Sequence, residues 1–417
     1  MSLWTTLFGP PSNNRFAALM MKAIRDTGEQ GPVSFDPQSF QLYLPNGSTM
    51  ALTNAYQEYC RASRRDRQSI LRRYASLAST MSKEEQPLSE VQTHLLPKVR
   101  DRFYWEAVRF QAHLQQGKSV SLDDLPPHQM LNDQLMLELV IDAPETIRSV
   151  TKSDLERWSL SFEQALALAK ENLWKKSNQG FKEIAKGIYV SPWKDNHDAS
   201  RLYLHDLIWQ LKVKGDHVAA VPNRDVLIVT GSEDAAGLLE MATLIEEALK
   251  LPRPMMASPM RLEGNKWVPL KLPGSHPAYW SLRKLELVTQ ADLYADQKQM
   301  LDTIHQKTGL ETFVARYTVI QKRESSKEFS SYCVWSEGVD TMLPHTAEVM
   351  FMVGDAPNLK LGARVAWEHM QVVMGALLEP QGMYPERYRA RHFPTPQQII
   401  EMKTLQDEIP MAVPSAG

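Results

Sequence analysis

Apolar positions along this chain change their period repeatedly, and each change marks an element. Phe16, Leu19, Met20, Ala23 and Ile24 recur at three- and four-residue spacing, which makes one face of a helix that Gly28 and Gly31 end. Residues 33–36 and 40–44 alternate as half-buried strands do, with Pro45-Asn-Gly as the turn expected to close them into a hairpin. A single long helix is expected over 53–81, carrying Tyr56, Tyr59, Ile70, Leu71, Tyr74 and Leu77. Residues 95–110 interleave Val, Phe, Tyr and Trp with charges and read as an exposed strand. The nearly unbroken apolar run Leu135-Met-Leu-Glu-Leu-Val-Ile-Asp reads as a strand buried on both faces. Thr151 or Ser153 then caps a helix through Asn172.

Beyond Gly180 the pattern predicts strands over 184–190, 217–221 and 226–230, and helices over 199–213 and 235–251. The proline-rich stretch 253–259 has no periodicity and reads as a linker. An extended segment at 266–273 and a long amphipathic helix over 277–307 follow. Strands over 312–320, 329–336 and 347–353 are then expected as an antiparallel meander, with 363–374 either continuing the sheet or turning helical. A short helix over 396–405 precedes a tail, 410–417, expected to fray. The fold class is α+β, built of several helix-plus-antiparallel-sheet units: 1–115, 116–252, 260–395, and a terminal helix and tail over 396–417.

Composition narrows the function classes. At 417 residues with 43% hydrophobic content the chain has room for two or three cored domains of roughly 100–200 residues each. Forty-seven basic residues against 49 acidic ones leave no global field to hold a polyanion or an anionic membrane. A nucleic-acid role would need a local patch. The densest basic run, from Arg61 to Arg73, carries Ile70, Leu71 and Tyr74 at helical spacing and reads as a solvated helix face, so nucleic acid is disfavoured. Cys60 and Cys333 lie far apart and belong to no paired spacing. With no basic leader and no apolar stretch of roughly 18–20 residues, the expectation is a cytoplasmic protein that enters no membrane.

Candidate chemistry concentrates between Trp193 and Asp234. Asp195, Asn196, Asp198 and Arg201 surround an expected helix start, where unpaired N–H groups attract acceptors, and Asp198 stands in the N-cap position. Pro222-Asn-Arg-Asp joins two strands with residues that favour Asx turns, and Asp225 is placed to grip Arg224 or Arg201 in a bidentate pair. If Asp198, Arg201 and Asp225 converge, with Asp195 beside them, they form a candidate general acid–base site. Asn196, Asn223, Arg224, Ser232 and Asp234 are the candidate binding residues. The bland reading of the same residues is capping and turn formation, and Ser232 and Asp234 suit caps for the following helix. Gly231-Ser-Glu-Asp follows a strand and precedes a helix but lacks the glycines and lysine of a phosphate loop, so no cofactor is expected. No histidine pair or nucleophile elbow is present, and no metal site is expected. The methionines at 255, 256, 260, 342, 350, 352, 370 and 374 read as core filling rather than an adaptable binding surface.

Several segments together resemble the YtpQ-like family of bacterial proteins of unknown function. They are Leu52-Thr-Asn-Ala-Tyr-Gln-Glu-Tyr, Asp154-Leu-Glu-Arg-Trp-Ser-Leu with Ala169-Lys-Glu-Asn-Leu, Asp198-Ala-Ser-Arg, Pro222-Asn-Arg-Asp-Val-Leu-Ile-Val-Thr-Gly, and Leu343-Pro-His-Thr-Ala-Glu-Val-Met-Phe. The resemblance implies α+β units similar to secretion-chaperone-like domains, and it carries over no catalytic residues. With no complete catalytic constellation, the expectation is a non-enzymatic protein-binding or chaperone-like module that holds another polypeptide at a sheet face or edge. An exposed edge in the last unit is the favoured place. The alternative is a hydrolase or phosphoryl-handling enzyme working through the 195–225 cluster.

Overall fold

The computed structural model describes residues 11–29, 31–37, 40–44, 49–80, 86–116, 125–143, 146–251, 253–322, 327–354 and 358–408. Sheets that are mostly antiparallel and helices alternate along it, which is the α+β class. At the N-terminal end, helices Asn13–Asp26, Thr53–Arg61 and Arg67–Thr80 bury Phe16, Met20, Ile24 and Tyr74 against a three-stranded sheet of Ser34–Asp36, Gln41–Tyr43 and Thr49–Ala51. The first two strands pair antiparallel as expected, while Pro45, Asn46 and Gly47 lie outside the described residues. The long helix expected over 53–81 is two, because the Ser63 hydroxyl and the Asp66 carboxylate bond each other and turn the chain between them; Met81 lies outside the described residues.

Two sheets carry the centre of the molecule. In the first, Leu135–Ala143 pairs antiparallel with Leu95–Asp101, His128–Met130 and Thr146–Ser149. The second is antiparallel throughout, in the order Lys266–Pro269, Met260–Glu263, His217–Asn223, Val226–Gly231, Ile188–Val190, Lys182–Ala185. One apolar core spans both: Leu95, Val99, Leu137 and Leu139 from the first meet Ala219, Leu227, Val229 and Trp267 from the second, with Leu202 among them. Helices Lys152–Trp158 and Phe162–Lys175 close this core through Leu155, Ala165, Leu166 and Ala169. They replace the single helix expected through 172, because Ser159 turns left-handed (φ 54°) and Ser161 starts the second with its own capping box.

Other expectations are corrected here. Residues 95–110 are not an exposed strand: Leu95–Asp101 is largely buried, and the Asp101 carboxylate then accepts the Phe103 amide at 2.7 Å to start the helix Arg102–Gln116. The interleaved charges at 102, 106 and 109 repeat at helical spacing. The expected strand over 184–190 is a hairpin turning at Gly187, and the expected helix over 199–213 is a 3₁₀ turn, Ala199–Tyr203, and a five-residue helix, His205–Trp209. The proline-rich stretch is not a loose tether: Met255, Met256 and Ala257 are buried, and the Met255 amide donates to the Pro222 carbonyl.

The last third hangs on the helix Tyr279–Thr308. Its strands do not form the expected antiparallel meander. Phe329–Ser336 runs parallel to Glu348–Val353, and Phe313–Val314 runs parallel to Thr341–Pro344. The edge strand Lys360–Ala366 is covered in part, since Lys403 and Gln406 of Pro396–Glu408 bond the Gly362 carbonyl and the Ala366 amide, while Lys360 and Leu361 stay exposed. Both readings of 363–374 hold in part, a strand to Ala366 and then the helix Trp367–Met374.

Candidate functional site

The segment from Trp193 to Tyr203 stitches the two central sheets together. On one side the His197 ring meets the Asp142 carboxylate at 3.1 Å and the Pro97 carbonyl at 3.4 Å, and the Ser200 hydroxyl accepts the Val99 amide at 3.1 Å. On the other, the Ala199 amide donates to the Arg224 carbonyl at 3.1 Å. Two residues of the stitch, Lys194 and Asn196, sit in left-handed backbone (φ 51° and 69°), a conformation that persists in a non-glycine residue only where its surroundings dictate it.

Within this frame the sequence candidates take separate partners. Arg201 is fully buried and makes four hydrogen bonds: its Nη1 and Nη2 grip the Asp195 carboxylate at 2.9 and 2.8 Å, its Nε donates to Ser177 at 2.9 Å, and Nη2 also reaches the Lys176 carbonyl. The guanidinium lies 4.0 Å from the centre of the Trp193 ring. Burial alone would raise the Asp195 carboxyl, but the hydrogen bonds and charge of Arg201 outweigh it and hold that carboxyl below its ordinary value. Asp198 occupies the N-cap position without capping the turn that follows; its carboxylate faces backwards and accepts the Lys194 and Asp195 amides at 3.2 and 3.3 Å. That is the correction to the capping expectation, and its cause is the left-handed loop, which turns those amides toward the side chain. Burial pushes the Asp198 carboxyl up.

Asp225 pairs with its neighbour Arg224 at 3.0 and 2.9 Å rather than with Arg201, so Asp198, Arg201 and Asp225 do not share one constellation. The Asn223 side chain accepts the Asp225 amide at 3.0 Å and forms the turn. Ser232 and Asp234 stand apart from this group. Asp234 caps Ala235–Leu249 by accepting the Gly237 amide at 3.1 Å, whereas Ser232 accepts the Asp216 amide and braces the preceding loop instead of the helix. Gly231 is required there for contact, since a Cβ would fall 2.1 Å from the Lys214 carbonyl oxygen.

What the sequence reading missed comes from the strands. Lys98 is almost fully buried, and its Nζ donates to the backbone carbonyl of Asn196, whose side-chain oxygen accepts from Arg224. Lys98 lies opposite Glu138 in the register, and Arg100, two residues along on the same face, holds Glu138 at 2.5 Å. Burial, then the nearby charges of Arg224 and Arg100, pull the Lys98 ammonium down to about 7. His197 is also pulled below its ordinary value, by burial first, against the opposing effect of Asp142. The signal for these residues was a lone charge inside an otherwise apolar strand, Lys98 in Leu-Leu-Pro-Lys-Val and Glu138 in Leu-Met-Leu-Glu-Leu-Val. Among the described residues, no group of three or more His, Cys, Asp or Glu side chains is placed to hold a metal ion.

The seam therefore joins a charge-paired half, around Arg201 and Asp195, to a cation-rich half, around Lys98. Comparison with known proteins adds a partial likeness. One hundred residues, 23% of this chain, are 34% identical to UPF0354 protein lin1649 of Listeria innocua serovar 6a. The match spans 38% of that relative's length, and the relative's name is that of an uncharacterised family. No known family profile and no solved structure matches the chain.

Proposed function

We propose that this is a YtpQ-like, cytoplasmic, non-enzymatic protein that binds another polypeptide, and that the partner adds as an extended strand at Lys182–Ala185. The observation that carries the reading is the state of that strand. It ends the six-stranded sheet, and all four of its residues are exposed, Ile184 at 42%. A sheet edge of this kind offers unpaired backbone groups to a second chain. Trp174, 44% exposed, belongs to the last turn of the helix that leads into it and supplies the kind of aromatic anchor that dominates protein interfaces. Against the hydrolase reading stands the engagement of Arg201, fully buried, with each of its three nitrogens donating to Asp195, Ser177 or a carbonyl. Among the described residues, no helix is long and apolar enough to cross a membrane.

The test is a photocrosslinking amino acid at Ile184, with Leu239, similarly exposed at 39%, as the control position. The expected result in extract of the native host is one discrete polypeptide adduct from position 184 and none from 239. An absence of adducts at 184, or the same adducts from both positions, overturns the proposal.

A further inference from the structure

We propose that Lys98, Arg100 and Arg224 form a binding site for a phosphate group, lying in the seam between the two central sheets. The proposal is independent of the polypeptide-binding reading and rests on how these three cations are arranged.

Lys98, on a strand of the first sheet, and Arg224, in the turn between two strands of the second, hold the two ends of one residue, the main-chain and side-chain oxygens of Asn196. Arg100 stands one pleat repeat from Lys98 on the same strand face, about 6.6 Å along the strand. Two of the cations thus share the strained residue Asn196, and the third, Arg100, lies close enough to the buried Lys98 for its charge to act on it. Assembling like charges out of water costs several kcal/mol unless an opposite charge joins them.

The protein supplies that opposite charge only partly. Glu138 is engaged with Arg100 and Asp225 with Arg224, while among the described residues no carboxylate lies within 4.0 Å of the Lys98 nitrogen. Lys98 has three hydrogens and gives one, to a neutral carbonyl. Arg100 spends its Nε on Glu138, and its two Nη groups meet no protein acceptor among the described residues; the same holds for Nη1 of Arg224. Donors left over on three cations suit an oxyanion with several terminal oxygens better than a planar carboxylate with two. Solvent reaches Arg100, Arg224 and Asp225, whose side-chain exposures are 23%, 16% and 35%, while Lys98 lies beneath them, buried.

A scaffold role accounts for one of the three Lys98 hydrogens, the one given to the Asn196 carbonyl, and leaves two unused. A methionine of similar volume would fill the position without the desolvation cost. Binding also has a proton signature. Around Lys98 stand Arg224 and Arg100, which lower its ammonium, Asp225 and Asp142, which raise it, Glu138 opposite it in the register, and the His197 ring. An arriving anion favours the charged form, so binding near pH 7 to 8 takes up a proton and weakens as the pH rises.

The experiment is calorimetric titration of the full chain with inorganic phosphate and, separately, with O-phosphoserine, at constant ionic strength and in two buffers of different ionisation heat. Saturable binding of either is expected, with proton uptake. Lys98→Met and Arg224→Gln should each weaken it roughly tenfold or more, and Lys271→Gln, an exposed lysine on another element, should not. Tighter binding of phosphoserine points to a phosphorylated ligand, and tighter binding of the free ion to phosphate itself. No saturable binding of either probe into the millimolar range overturns the proposal, as does unchanged affinity in both folded variants. Should Lys98→Met fail to fold by circular dichroism, Arg224→Gln, at a turn, carries the test alone.

Discussion

Arg201 and Lys98 show two fates for a buried cation. Arg201 has a bidentate carboxylate and is fully buried, so removing its partner is expected to be costly. Asp195→Ala strands the guanidinium and should destabilise the protein by about 3–5 kcal/mol in urea unfolding at pH 7. Because the folded Asp195 carboxyl lies below its ordinary value, its contribution is present above the unfolded pKa of roughly 4 and is lost as the pH falls through the folded one. The gap between wild type and Asp195→Ala should therefore narrow in acid, and a gap that stays constant from pH 7 to pH 3 would contradict the assignment. The Asp195–Arg201 pair was visible in the sequence only as nearness. Spacing could not say whether Arg201 faces Asp195 or Asp225, because that depends on the left-handed turns at Lys194 and Asn196, which no glycine announces.

Elements were legible where the period was long and uninterrupted, as in the helix Tyr279–Thr308 and the strand Leu135–Ala143. They were misread where one polar side chain redirects the backbone. Ser63 with Asp66 and Ser161 each split a helix, and Asp101 ends a strand and begins a helix within an apolar-rich stretch. The parallel strand pairs of the last third were illegible, since pairing direction is set by connections across the sheet and not by local alternation. Helix Pro396–Glu408 belongs to this scale. Its Met402 is fully buried in the core built from Trp335, Phe351, Val365 and Trp367, while Lys403 and Gln406 occupy backbone groups of the outer strand. Met402→Ala should cost about 2–5 kcal/mol and loosen that cover. Thermal unfolding together with light scattering checks it: a lower midpoint with some self-association is expected, and an unchanged midpoint would show that the helix is not anchored through this side chain.

For the whole molecule, the α+β class followed from the pattern, but the way its parts meet did not. The N-terminal helices are tied to the centre by Arg253, itself left-handed (φ 66°), whose guanidinium holds Glu58 and the Tyr74 hydroxyl while its carbonyl receives the Arg224 amide. Nothing in the local sequence marks an arginine among prolines as a clasp. Arg253→Ala should raise hydrogen exchange in helices Thr53–Arg61 and Arg67–Thr80 while leaving the strand Leu135–Ala143 protected. Uniform change, or none, would mean that these helices hold their place by other contacts.

The carbonyl that receives the Lys98 ammonium belongs to a residue 98 positions further along the chain. A ribosome adding roughly 5–20 residues per second takes about 5–20 s to make that stretch. During those seconds the nascent strand Leu95–Asp101 carries a lysine whose carbonyl acceptor has not yet been made, so burying this face in the first central sheet would leave that bond unformed. It must wait for the Trp193–Tyr203 segment to emerge, and slowed translation between the two would prolong the interval in which that strand is open to misassembly.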